Sequence, residues 1–335
     1  MIASWPMKCE LVQYNKPSVR NHRSQGKPIR LSILLALLVI TYSLSLVTGV
    51  SADDIKSRAA VVMDAVTGRV LYAKNSEHCL MPASTTKLMT ALVVLEHARL
   101  SDVATVSKKA ANTAPTRVGL KEGDKVTIET LLYSALVRSA NDAAVALAEA
   151  VAGSEEQFVK LMNRKAVDIG ADHTKFVNAN GLPGKGQYTT AYDLSRIMRQ
   201  AIQYPVLKGI LNTRVAEVST QSGKTIFIRN TNKLLWSDED ILGGKTGYTR
   251  QARHCFVCAG GRDNETIIVA LLGAPSRDVL WKESRDLMTF GLKVMDHQEE
   301  PVSYLTESDV DASKLTNASY IRNVKTRKPR DKRQD

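Results

Sequence analysis

The sequence predicts an α/β domain: an antiparallel sheet flanked by helices, with an all-helical region inserted into it. Three observations predict this. Strand-like runs open the body of the chain, helical patterns fill its middle, and short strands return before one long closing helix. At 335 residues and 44% apolar content, the chain can bury a core of that size. No internal repeat is visible.

The first 52 residues stand apart from this body. Arg20, Arg23, Lys27 and Arg30 precede the uncharged run "LSILLALLVITYSLSLVTGV". Small residues around Val50-Ser51-Ala52 suit a signal-peptidase site before Asp53, with Met7 as an alternative start. The run is also long enough to remain as a membrane anchor. Export is the expectation, with the leader either cleaved or retained.

In the body, "RAAVVMDAVTGRVLYAKN" reads as two strands around a turn at Val66-Thr67-Gly68. "MPASTTKLMTALVVLE" then reads as a helix that starts after Pro82, with Leu88, Leu92 and Leu95 at helical spacing. Residues 101–124 show little periodicity and read as loops. Thr127 is an expected N-cap for "TIETLLYSALVRS". The alanine-rich "NDAAVALAEAVAG" should end at Gly153. Ser154 and Gln157 form a capping box for a third helix that closes at Gly170. "NANGLPGKGQ" is turn-rich, and Thr190 opens another helix that stops before Pro205. Strands are expected around 215–219, 225–229, 244–248, 255–259 and 266–272, then a helix from Arg277 to Met295. The organisation is therefore a leader (1–52), a domain (53–296) and a polar, then basic, tail (297–335).

Location explains the net charge of +12. About +5 lies in residues 1–30 and about +6 in 313–335, which leaves the body close to neutral. No nucleic-acid partner is expected. Cys255 and Cys258 are spaced C-x-x-C, but residues three apart on a strand face opposite ways, so neither a bridge nor a shared metal is expected there. Six scattered histidines offer no metal site.

Three short stretches carry chemistry. Ser84 and Lys87 lie one turn apart near a helix start, so hydroxyl and ammonium share a face. A serine needs a base beside it, and a lysine serves once burial and a neighbouring cation lower its pKa. Ser139 and Asn141 fall in the short junction between two helices, where they either project into a site or cap the second helix. "GGKTGYT" puts Lys245, Thr246 and Gly247 on a strand edge. A cation, a hydroxyl and a residue without Cβ make a clamp for a carboxylate there.

Taken in order, S-x-x-K, S-x-N and K-T-G resemble the penicillin-recognising serine enzymes. The chain is most similar to the low-molecular-mass penicillin-binding proteins that are D-alanyl-D-alanine carboxypeptidases, peptidase family S11. The likeness runs over about residues 57–296, through "DAVTGRVLYAKN", "FVNANGLPGKGQYTTAYDLS" and "GGKTGYTRQA".

The resemblance implies a β-lactamase/D,D-peptidase-like fold with a five-stranded antiparallel sheet. It implies Ser84 as nucleophile, Lys87 as its base and Ser139 as proton relay. Asn141 would hold the substrate amide, and Lys245 with Thr246 the terminal carboxylate. Gly247 would leave room for the substrate backbone, and the N–H groups of Ser84 and Tyr248 would form the oxyanion hole. The substrate would be a peptidoglycan stem peptide and the inhibitors β-lactams, with no cofactor and no metal. The place of action would be the periplasm or the outer face of the cytoplasmic membrane.

Departures from the family pattern lie at the ends. About forty residues follow the last helix, too few for the second β-rich domain that many members carry. The basic end "NVKTRKPRDKRQD" lacks an apolar face, so it reads either as a solvated tail or as a contact with anionic lipid or wall polymer. Membrane contact, through leader or tail, is thus an open expectation. Rival functions are a serine β-lactamase, a D,D-endopeptidase and a silent penicillin or muropeptide sensor. The first lacks the E-x-x-L-N loop between Asn141 and Lys245, the second depends on groove shape, and the third requires a loop near 180–187 to close the site.

Overall fold

A computed structural model describes residues 55–262, 265–305 and 324–326. The leader and most of the basic tail lie outside the described residues. No helix among those described is long and apolar enough to cross a membrane.

The main sheet grows from one hairpin. β1 (Ala59–Asp64) turns through Gly68, at φ +78°, into β2 (Val70–Lys74). Asp64 fixes that turn by accepting from the Val66 N–H at 2.8 Å. β7 (Ile241–Thr249), β8 (Arg253–Gly260) and β9 (Ile267–Ala274) complete the antiparallel part, in the order β2-β1-β9-β8-β7. The five strands implied by the resemblance are therefore present.

The sheet is nevertheless wider than five. β10 (Val302–Leu305) lies parallel to β2, and β11 (Val324–Thr326) lies parallel to β10. Residues 302–305 are thus not tail. Four residues without helical periodicity gave no strand signal by themselves; they complete the hydrogen bonds of an otherwise open edge.

Both faces of the sheet are buried, and the pleat decides what each residue meets. Val61 and Met63 of β1, with Cys255 and Val257 of β8, point into the helical side. Ala60, Val62, Phe256 and Cys258 point to the opposite side, under the closing helix, Arg277–Met295. Cys255 and Cys258 therefore face different cores, as their spacing requires, and burial pushes both thiols up.

The helical side holds α1 (Lys87–His97), the short α2 (Lys108–Ala111), α3 (Ile128–Leu136), α4 (Asn141–Ala152), α5 (Glu155–Asp168), α6 (Ala191–Ala201) and α7 (Pro205–Asn212). Thr127, Ser154 and Thr190 cap their helices by accepting from the N–H three residues on. Gly153 closes α4 at φ +74°. One local reading is corrected. Residues 101–124 hold β3 (Val103–Thr105) and α2, and β3 pairs with β4 (Lys125–Thr127), elements too short to show a period. α6 stops before Pro205, as expected, and Pro205 is the first residue of α7, where its missing N–H costs nothing.

β5 (Val215–Ser219) and β6 (Thr225–Arg229) have the expected bounds but form a separate two-stranded sheet. Across the other face lies α8 (Arg277–Met295), whose Trp281 meets Phe256 edge-on at 5.1 Å. Its buried Glu283 accepts from the backbone N–H groups of Lys56 and Ser57 and from the Ser57 hydroxyl. That carboxylate ties the closing helix to the entry of β1.

Candidate active site

Ser84 sits in a 3-10 turn, Ala83–Thr86, that leads directly into α1. The sequence placed it within the helix; in the structure the turn precedes it. Pro82 starts the turn, and its carbonyl accepts from the Thr85 hydroxyl at 2.7 Å. Ala83 takes a left-handed φ of +49°, which only a well-held segment sustains. Two glycines hold it. A Cβ on Gly181 would lie 1.9 Å from the Ala83 carbonyl oxygen, and one on Gly247 would lie 3.0 Å from the Ser84 nitrogen. The turn is thus clasped between β7 and the 178–187 loop.

Lys87 is the first residue of α1 and is fully buried. Its Nζ is 3.1 Å from Ser84 Oγ, 2.7 Å from Asn141 Oδ1 and 2.6 Å from the Asn180 carbonyl oxygen. Burial pushes its pKa well below the usual lysine range, the charge of Lys245 pushes the same way, and Asp142 opposes them. Both burial and the Lys245 charge push Lys87 toward the neutral amine that a base must be.

Ser139 lies in the α3–α4 junction, as expected, and Asn141 is the first residue of α4. Asn141 is not the cap of α4: Ala140 occupies that position without a side-chain bond. The Asn141 amide spans instead from Lys87 to the Ala114 carbonyl, to which its Nδ2 donates at 2.9 Å. Ser139 adopts φ +67°, and its Oγ accepts from Lys245 Nζ at 2.8 Å. Lys245 lies on β7 with Val257 as its cross-strand partner, so it points to the helical side. It too is fully buried, and burial lowers its pKa to about 7. Thr246 faces the other way and donates to Thr231 Oγ1 at 2.7 Å.

All eight residues named from the sequence therefore surround one place. Ser84, Ser139, Thr246, Gly247 and Tyr248 line an open cleft of about 810 Å³, with Lys87, Asn141 and Lys245 behind. Tyr248 is 58% exposed and stacks on His254 at 4.5 Å. The 178–187 loop supports the nucleophile turn from the side and leaves the cleft open.

Sequence reasoning missed other participants. Asp142 is fully buried and accepts from the N–H groups of Val118, Gly119 and Leu120. It thereby anchors the loop to which Asn141 is bonded. Its position directly after Asn141 was the available signal. The Asn180 carbonyl leaves no trace in residue type. Arg138, Arg229, Lys233 and Arg277 line the cleft, and among the described residues no carboxylate does, which makes it a cationic site for an anionic ligand.

A hydroxyl beside a buried amine, a second hydroxyl beside a second buried amine, and a cationic cleft suit acyl transfer at a carboxylate-bearing substrate. Comparison with known proteins agrees. The family model for D-alanyl-D-alanine carboxypeptidase, Peptidase S11, matches residues 46–276. The D-alanyl-D-alanine carboxypeptidase DacF of Bacillus subtilis is 32% identical over 253 residues, 72% of this chain; the match spans 65% of that relative, under two thirds of its length. A D-alanyl-D-alanine endopeptidase of Pseudomonas aeruginosa is 34% identical over 239 residues, covering 67% of this chain and 77% of that protein. The crystal structure of the Streptomyces K15 DD-transpeptidase superposes with a TM-score of 0.68 at 30% identity, covering 73% of this chain and 99% of that one. The chain belongs to the S11 family of D-alanyl-D-alanine carboxypeptidases, the low-molecular-mass penicillin-binding proteins.

Proposed function

We propose that the protein is a serine-type D-alanyl-D-alanine carboxypeptidase, which removes the terminal D-alanine from peptidoglycan stem pentapeptides and is acylated by β-lactams. The observation that carries the reading is the pairing of Ser84 Oγ with Lys87 Nζ at 3.1 Å beside that of Ser139 Oγ with Lys245 Nζ at 2.8 Å. Neutral Lys87 takes the Ser84 proton as Oγ attacks the carbonyl of the penultimate D-alanine. The N–H groups of Ser84 and Tyr248 receive the oxyanion, at ~3 kcal/mol per donor. Ser139 passes a proton to the departing amine, and Lys245 with Thr246 holds the terminal carboxylate. Asn141 holds the substrate amide, and Gly247 leaves space for its backbone. Water then releases the acyl group.

This chemistry belongs outside the cytoplasmic membrane, which the basic and apolar leader, 1–52, would reach as a signal peptide or anchor. The domain would occupy 53–296, with β10 and β11 from the following stretch added to the edge of its sheet. The basic end would be a solvated tail or a contact with anionic surfaces. The identity to an endopeptidase favours one further reading, cleavage of cross-links by the same residues.

The test is D-alanine release from a soluble stem pentapeptide by the purified chain beside Ser84→Ala. Release that disappears in the variant supports the reading; none from the folded wild type overturns it.

A further inference from the structure

The β5–β6 hairpin presents a surface that the carboxypeptidase reading does not use. Its inner row, Val218 and Ile228 with Ala216 and Ile226, packs on the helical core. Its outer row is uncovered among the described residues: Phe227 is 79% exposed and Val215 65%. Together with Arg229, and with Glu217 across the ladder from Phe227, they border a crease of about 510 Å³ that carries one cation and one carboxylate.

The crease adjoins the cleft at one residue. Arg229 lines both, and its guanidinium is steadied over the Trp236 ring at 4.8 Å. Phe227 and Arg229 alternate along β6, so they share a direction, and Thr231 follows two residues past Arg229, just beyond the end of the strand. Phe227 and Arg229 lie about 7 Å apart along the strand, at ~3.3 Å per residue. At the near end Thr231 accepts from Thr246, the carboxylate-clamp residue. With Lys245 and Thr246 holding the terminal carboxylate, as proposed above, the Thr246–Thr231 bond sets the hairpin next to the carboxylate end of the substrate, the side of the leaving group. A single departing D-alanine is too short to reach it. A leaving group that is itself part of a second stem peptide would run past the clamp, with its carboxylates beside Arg229 and its apolar atoms or terminal sugar ring on Phe227.

Resting on the mechanism proposed above, we infer that the outer face of the β5–β6 hairpin is a leaving-group subsite for the second stem peptide of a cross-link. In the reaction the Ser84 Oγ–carbon bond forms, the cross-link carbon–nitrogen bond breaks, and the amine nitrogen takes a proton by way of Ser139. Water then adds to the acyl carbon, the ester bond to Ser84 breaks, and the hydroxyl regains its proton. One water is consumed per cross-link.

The experiment compares Phe227→Ser and Phe227→Trp with wild type, in the full chain, on a soluble pentapeptide and on a soluble dimer of two cross-linked stem peptides carrying their sugars. Phe227→Ser should lower kcat/KM on the dimer about tenfold, the scale of one apolar side chain leaving water. D-alanine release from the pentapeptide should be unchanged, and Phe227→Trp should keep dimer cleavage. An equal loss on both substrates, or wild type that processes the pentapeptide but not the dimer, overturns the subsite. If neither substrate is turned over, the mechanism fails, and dimer affinity of Ser84→Ala decides the subsite alone: dependence on Phe227 supports it, independence overturns it. Phe227-dependent binding to lipid vesicles or self-association in place of dimer binding also overturns it.

Discussion

Lys245 and Ser139, 106 residues apart in the chain, are joined by a 2.8 Å hydrogen bond from a fully buried ammonium nitrogen. The bond connects the edge strand of the sheet to the junction of two helices. It also sets a conflict: substrate charge favours the protonated amine, while burial lowers its pKa to about 7.

That conflict fixes a pH dependence of stability. Between about 7 in the fold and about 10.4 in the unfolded chain, the unfolded state binds the extra proton, so stability contributed at Lys245 rises with pH across that window. Below pH 7 the fold carries a buried charge. Lys245→Met removes it and should raise Tm most at pH 6, the gain shrinking toward pH 10, while acylation by a labelled penicillin falls. A gain independent of pH would show that Lys245 does not titrate there.

Asp142 acts on Lys87 through charge and on Asn141 through the loop it anchors. Asp142→Asn removes the one negative charge that raises the Lys87 pKa, so the acid limb of the acylation rate should move to lower pH. It should also cost about 1–3 kcal/mol in stability. Stopped-flow acylation across pH reads the first effect and urea unfolding the second; an unmoved limb refutes the electrostatic coupling.

Gly247→Ala tests how closely β7 approaches the nucleophile. The added Cβ meets Pro82 O, Ala83 Cβ and Ser84 N at 3.0 Å each. Overpacking of this kind costs about 1–3 kcal/mol. The variant should fold, by circular dichroism, but be acylated slowly. Acylation at the wild-type rate would mean that the turn yields freely.

Glu283→Ala reads the far side of the sheet. Loss of the acceptor for the Lys56 and Ser57 amides should lower stability by about 3 kcal/mol. Acylation at a temperature well below Tm should not change. A drop in acylation there would couple α8 to the cleft.

Much of this was legible in the sequence, because periodicity and residue type report what a residue meets locally. Thr127, Ser154 and Thr190 announced their helices, and Cys255 and Cys258 their opposite faces. Ser84, Lys87, Ser139, Asn141 and Lys245 were legible because each brings an uncommon chemistry to a fixed spacing. What escaped has no local signature. Thr231 meets Thr246 only after the hairpin is placed. The Asn180 group on Lys87 is a carbonyl that every residue owns. β10 is a strand because an unfilled edge of β2 lies beside it, not because of its own four residues.

The three acceptors around Lys87 Nζ lie on separate parts of the chain: Ser84 three residues away, Asn141 54 and Asn180 93. Contacts so distant form late, after loop-closure entropy has been overcome. The amine therefore acquires its surroundings only when the nucleophile turn, the α3–α4 junction and the 178–187 loop have all docked. During refolding, penicillin acylation should lag the return of helical circular dichroism, so that covalent labelling times the last assembly step of the molecule.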